Sequence, residues 1–269
     1  MPGTRMRLAR VDEGAGPPVV FWHGEPTWSF LWRKVIPPVR DAGFRCIAPD
    51  LPGFGRSPKL PREWFTYDRL VDAATGFVEE LDLRNATFVV HDWGGPIGLR
   101  AAMRLGDRVS RIVIMNTGVW TGRQRMSDAW RAFRDFVERT EDLPIGMLVR
   151  GGCKHDPGDD VIAQYDAPFA SPADKGGPRA LPLLIPLGED APGAAEGRET
   201  LEALRAWPGP MLILWGADDP ILPLTVGERF AETIGRPPPE PVPDASHFLQ
   251  EDAGDEVGRR IAEWLVATS

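Results

Sequence analysis

Val89-Val90-His91-Asp92-Trp93-Gly94-Gly95 is the stretch that decides how this chain folds. An apolar run ends, one residue occupies the turn, and small residues open the segment that follows. This is the layout of a nucleophile elbow, usually written G-x-S-x-G, whose small residues let a helix pack beneath a strained turn. Asp92 holds the serine position, Val90 replaces the first glycine, and the G-x-S-x-G pattern occurs nowhere else in the chain. Alone, the segment reads equally well as a strand-to-helix turn whose Asp is merely an N-cap. If Asp92 is a nucleophile, the chemistry is specific. A serine attacking an alkyl carbon leaves an ether, which resists hydrolysis. A carboxylate attacking the same carbon leaves an ester, which water cleaves at the carbonyl. Asp is already ionised near neutral pH, so the first step needs no base.

Outward from the elbow, the chain alternates buried strands with helices. Val19 to Trp22, Phe44 to Ala48, Ala86 to Val90, Arg111 to Met115 and Met211 to Trp215 are short apolar runs rich in β-branched or aromatic residues. Tyr67 to Leu81 and Val257 to Ala267 carry apolar residues at helical spacing. This order predicts an α/β fold, a mostly parallel sheet with helices on both faces. From about Trp120 to Ala195 the pattern breaks. Ser127 to Arg139 reads as a helix, Arg150 to Cys153 and Pro168 to Pro178 as Gly- and Pro-rich turns, and no strand is evident. We expect a helical cap at 120–195, inserted into a core of 1–119 and 196–269. It would lie over the carboxyl ends of the strands, where open α/β sheets bind ligands.

Bulk properties narrow the function. The 269 residues suffice for a substantial core, and 42% hydrophobic with 26% charged residues is an ordinary globular composition. The net charge of −8 disfavours nucleic-acid binding, which wants a basic face. No apolar run nears the roughly 20 residues that span a bilayer. No signal peptide is read at Met1 to Arg10, so the expected location is cytoplasmic, without a membrane partner. Cys46 and Cys153 are expected as free thiols. His23, His91, His155 and His247 show no metal-ligand spacing, so neither a metal nor a cofactor is expected. Oligomeric state is not legible.

An ester on Asp92 requires a base for its second step. His247, in Asp244-Ala245-Ser246-His247-Phe248, follows a short strand at Pro241 to Val242, and imidazole titrates in the right range to activate water. Gly216-Ala217-Asp218-Asp219 supplies an acid just after a core strand, and the order nucleophile, acid, His is that of the elbow hydrolases. Asp218 and Asp219 are neighbours, and spacing alone does not choose between them. Asn116, at the end of the strand after the elbow, is an amide and offers no alternative acid. Backbone N–H groups of Glu25 and Trp93 are placed to form an oxyanion hole, Glu25 contributing backbone and not charge. His23 reads as structural.

Together these residues resemble the α/β-hydrolase superfamily and, within it, the haloalkane dehalogenases with an Asp-His-Asp triad and two halide-binding tryptophans. The resemblance is carried by His23-Gly24-Glu25-Pro26-Thr27-Trp28-Ser29-Phe30-Leu31-Trp32-Arg33-Lys34, by Pro49-Asp50-Leu51-Pro52-Gly53-Phe54-Gly55-Arg56-Ser57, by the elbow, and by Ala245-Ser246-His247-Phe248-Leu249-Gln250-Glu251. It runs from Arg5 onward. It implies Asp219 as the acid, three residues after the Gly that ends the late strand. It implies Trp93 as one halide-binding residue and Trp130, rather than Trp120, as the second, with Pro182 beside them. Two indole N–H donors stabilise a departing halide without a full positive charge that would trap it. An apolar cavity lined by Phe169, Ile221, Leu222 and Phe248 is expected, taking a small uncharged haloalkane. The family usually has more residues before Arg5 to Val11, so either its first sheet strand is absent or the chain begins late.

Two related activities fit less well. Soluble epoxide hydrolases place two cap tyrosines on the epoxide oxygen, whereas of the two tyrosines here only Tyr165 falls in the cap segment. Fluoroacetate dehalogenases follow the nucleophile with Arg, where this chain has Trp93. A binding protein that has lost catalysis is disfavoured because nucleophile, base, acid and both halide donors are all present.

Overall fold

The computed structural model describes residues 6–269. The expectation of a missing first strand concerns the chain near Met1 to Arg5, which lies outside the described residues. Seven strands form one sheet: β1 Arg10–Glu13, β2 Pro18–Trp22, β3 Arg45–Pro49, β4 Ala86–His91, β5 Val109–Met115, β6 Met211–Gly216 and β7 Glu240–Val242. They lie in the order β1-β3-β2-β4-β5-β6-β7. Only β1 is antiparallel, pairing Arg10 with Pro49 and Glu13 with Cys46. The other pairs are parallel.

Parallel strands covered on both faces are mostly apolar at successive positions, and these strands follow that pattern with a few polar exceptions such as Thr87 and Arg111. Along β2, β4 and β5 alternate residues enter opposite cores. Val20, Trp22, Phe88, Val90, Ile112 and Ile114 belong to one cluster. Val19, Phe21, Val89, Val113 and Met115 belong to the other. Val90, where an elbow usually has Gly, therefore sits inside the first core. Among the described residues eleven α-helices accompany the sheet: α1 Ile36–Asp41, α2 Tyr67–Glu80, α3 Gly94–Leu105, α4 Asp128–Arg139, α5 Ile145–Gly152, α6 Asp159–Asp166, α7 Gly176–Ala180, α8 Ala194–Ala206, α9 Leu224–Thr233, α10 Leu249–Asp252 and α11 Gly254–Ala267. Helix α2 packs on α3, and α3 on α8, on one side, while α1 packs on α11 on the other. No helix is long and apolar enough to cross a membrane among the described residues.

Between β5 and β6 the described chain is helical, without a strand. Helix α4 begins where its sequence signal lies, with the Ser127 hydroxyl accepting the Trp130 N–H at 3.1 Å. The turn expected at Arg150 to Cys153 is instead the end of α5. A Cβ at Gly152 would collide with the Phe248 ring, so this glycine serves close packing inside a helix. Likewise Pro168 to Pro178 contains a short 3-10 helix at Pro172–Lys175 and the start of α7. Tertiary contacts override local breaker chemistry in both places.

Candidate active site

The elbow forms between β4 and α3. Asp92 has φ 47°, the left-handed region, which costs a residue with a Cβ about 1–2 kcal/mol. The turn is tied on both sides. Asp92 N–H donates to the Asn116 carbonyl at 3.3 Å, and the Asp92 carbonyl accepts from Gly95 N–H at 2.8 Å and from the Thr117 hydroxyl at 2.5 Å. Room for the side chain comes from the loop after β2, since a Cβ on Gly24 would land on the Asp92 carboxylate.

His247 lies between the two carboxylates. Its Nδ1 is 2.9 Å from Asp219 Oδ2, and its Nε2 is 3.5 Å from Asp92 Oδ2. The Asp92 side chain is 20% exposed, against 3% for His247 and none for Asp219, so the nucleophile candidate is the member open to a ligand. Burial works against the charge of His247, but Asp219 and then Asp92 outweigh it and lift its pKa to about 10. Burial likewise opposes ionisation of Asp92 and Asp219, and His247 more than compensates, holding both below the usual carboxylate range.

Asp219 is also anchored by backbone. Its Oδ1 accepts from Ile221 N–H at 2.7 Å and Leu222 N–H at 3.0 Å. Asp218, the other acid of the pair, is exposed and lies 3.3 Å from Lys154. The geometry thus separates two residues that spacing could not.

Glu25 N–H donates to Asp92 Oδ1 at 2.7 Å, and the Trp93 backbone N–H also hydrogen-bonds the Asp92 carboxylate. Two backbone donors therefore converge on the group that would carry an oxyanion. Trp93 is buried, and Trp130 is partly buried against the same apolar cluster. Among the described residues neither indole N–H donates to a protein acceptor. Phe169 is buried in that cluster and Leu222 packs on it. Pro182 is buried in a 3-10 helix at Leu181–Leu184. Phe248 belongs to the opposite cluster, its ring 5.0 Å from that of His247. Ile221 stands apart from these expected lining residues: it is 50% exposed, on the surface beside the acid turn.

Two residues near the site were not read as site residues. Asn116 has φ 33° and donates from Nδ2 to Asp219 Oδ2 at 2.6 Å, while its Oδ1 accepts from Gly216 N–H at 2.9 Å. Its available signal was an amide at a strand's carboxyl end. His91 is fully buried and its Nε2–H donates to the His247 carbonyl at 2.8 Å. Burial and the neighbouring His247 charge push its pKa down to about 4, so it is neutral. No sequence spacing links it to His247, 156 residues away. His23 is structural: its Nδ1–H donates to the Gly24 carbonyl at 2.9 Å and its Nε2 accepts from Leu51 N–H at 2.8 Å. Tyr165 is fully buried and donates its hydroxyl to Glu251.

A mostly parallel sheet with a left-handed residue at the end of β4, and an acid and a histidine after β6 and β7, defines the α/β-hydrolase class. A family model described as alpha/beta hydrolase fold matches residues 17–149. A haloalkane dehalogenase of Mycobacterium marinum is 41% identical over 267 residues, covering 96% of this chain and 89% of that protein. Haloalkane dehalogenase 1 of Mycobacterium bovis is 43% identical, covering 98% of this chain and 89% of that protein. Among solved structures, the tetrameric haloalkane dehalogenase DpaA of Paraglaciecola agarilytica superposes with a TM-score of 0.87 at 32% identity, over 95% of this chain and 87% of that one. The chain belongs to the haloalkane dehalogenase family.

Proposed function

We propose that this chain hydrolyses the carbon–halogen bond of small uncharged haloalkanes to alcohol, halide and proton, through a covalent ester on Asp92. The observation that carries the reading is the line of Asp92, His247 and Asp219, with His247 Nε2 3.5 Å from one carboxylate and Nδ1 2.9 Å from the other. The family membership supports the substrate class. In the first step an Asp92 oxygen attacks the carbon, and the halide leaves with the bonding electron pair. Trp93 and Trp130 are the proposed donors to it, with Pro182 beside them.

Ester formation removes the charge of Asp92. One of the two influences that hold a proton on His247 is then gone, and the imidazole gives that proton up more readily. Neutral His247 Nε2 then takes a proton from water as the water oxygen bonds to the ester carbonyl. Glu25 and Trp93 N–H groups stabilise the oxyanion, and Asp219 holds the imidazole tautomer and stabilises its cation. Collapse expels the alkoxide, which takes the proton from His247. The carboxyl left on Asp92 then ionises. We assign 120–195 as the cap and 1–119 with 196–269 as the core. Phe169, Leu222 and Phe248 are proposed as lining, with Ile221 at its outer edge.

An epoxide-opening reading gains nothing from the cap, whose one tyrosine is engaged by Glu251. The test is one turnover of a bromoalkane in heavy-oxygen water. Bromide should be released and label should enter the Asp92 carboxylate. Label in the alcohol at first turnover overturns the covalent route.

A further inference from the structure

In the scheme above Glu25 contributes only its backbone. Its side chain nonetheless carries a buried polar atom without a partner, close to the reacting atoms. The residue is 8% exposed, Oε1 is wholly buried, and no described residue hydrogen-bonds it. The backbone N–H fixes the residue 2.7 Å from Asp92 Oδ1. Burial and then the Asp92 charge push its carboxyl well above the usual range, against a smaller opposite pull from His247, so its surroundings favour the neutral form. A buried carboxylate lacking a cation would cost several kcal/mol, and protonation removes that cost.

We propose that the buried Glu25 carboxyl is a catalytic group that holds the water molecule which hydrolyses the Asp92 ester. This rests on the dehalogenase reading. The attacking water must send one hydrogen to His247 Nε2 and aim a lone pair at the Asp92 carbonyl carbon. Its second hydrogen then needs an acceptor in a buried place. Glu25 Oε1 is a buried acceptor with no protein partner, on a residue whose backbone N–H already reaches Asp92 Oδ1. Glu25 neither gains nor loses a proton in this role. A neutral form suits this role, because a charged carboxylate would repel the oxyanion forming on Asp92, whereas a neutral carbonyl oxygen orients the water without that repulsion.

The role belongs to the second step alone, which makes it separable. We would prepare E25L, E25M and E25Q and follow bromide release by rapid quench and the alkyl-enzyme by intact mass, using 1-bromobutane. E25L and E25M should release first-turnover bromide within about threefold of the parent, but lose the ester at least about tenfold more slowly, so that the covalent adduct accumulates. E25Q keeps a carbonyl oxygen and should clear the ester at least about threefold faster than E25L. Ester loss at the parental rate in a folded E25L or E25M overturns the proposal. So does E25Q as slow as E25L, because acceptor geometry would then not be the cause. So does a first-turnover bromide burst that falls as much as ester loss. A parent enzyme that releases no bromide overturns the dehalogenase reading itself.

Discussion

Replacing Asp219 by Asn probes the coupling between the acid turn and the base most directly. The carboxylate of Asp219 accepts four hydrogen bonds, from His247 Nδ1–H, Asn116 Nδ2 and the backbone N–H groups of Ile221 and Leu222. An amide has one oxygen and one NH2. If its oxygen stays on the Ile221 and Leu222 N–H groups, its NH2 faces both His247 and Asn116. The imidazole then satisfies it by accepting at Nδ1, which places the ring proton on Nε2, the nitrogen that must take a proton from water. The negative charge that helps lift His247 to a pKa of about 10 is also lost. Loss of the correct tautomer in a comparable triad costs about 10⁴-fold, so we expect D219N to slow ester hydrolysis by about 10³ to 10⁴-fold. The attack by Asp92 does not use His247 as a base and should survive. The expected result is therefore a stoichiometric bromide burst followed by near arrest, with the alkyl-enzyme mass persisting. A buried donor left facing Asn116 should also lower stability by about 1–3 kcal/mol. Steady-state bromide release within about tenfold of the parent, with no trapped ester, would refute the assignment of Asp219 and His247 to the second step.

Two further outcomes follow from the same geometry. W93F removes an indole donor while keeping a buried aromatic ring, so bromide-dependent quenching of tryptophan fluorescence should weaken and the alkylation step should slow about 10²-fold; unchanged first-turnover bromide release would exclude Trp93 as a halide donor. The folded-state pKa of His247, about 10, lies above the ordinary value near 6.5, so its cation stabilises the fold fully below about pH 6.5 and that contribution is lost as pH rises toward 10. The thermal midpoint of the parent should therefore fall between pH 7 and 10 more steeply than that of H247F, and equal slopes would show that the imidazolium is not held by its two carboxylates.

The sheet was legible in the sequence because strands covered on both faces leave little freedom at successive positions. Val19 to Trp22 is apolar throughout, Ala86 to Val90 is apolar except for Thr87, and both appear where expected. The segment from 120 to 195 was less legible. Its helices are short, and several of their glycines answer to distant side chains, as Gly152 answers to Phe248. Within the site, Asp92 and His247 carry local signals, a turn pattern and a loop position. Asp219 needed either a family register or the observed backbone anchor to be told from Asp218. Asn116 offered only its place as an amide at a strand's carboxyl end, and His91 offered nothing, since a hydrogen bond across 103 or 156 residues leaves no trace in spacing. The Glu25 carboxyl was overlooked for another reason. A Glu in a loop reads as a solvated charge, and only the structure shows that it is buried, where its neutral form is favoured.

Asn116 touches both halves of the proposed catalytic apparatus: its carbonyl receives the Asp92 N–H, and its side chain bridges Asp219 and Gly216. That bridge constrains how such an enzyme changes over time. An acid introduced by N116D would face Asp219 across 2.6 Å, and two carboxylates so close share one proton and lose a donor that now orients the pair. A D219N change alone leaves two amides and no acid. Each single step between the two arrangements is impaired, although the doubly changed protein could again be competent. The position of the acid should therefore drift only through coupled replacement, and lineages that differ at one of these two residues should differ at the other as well.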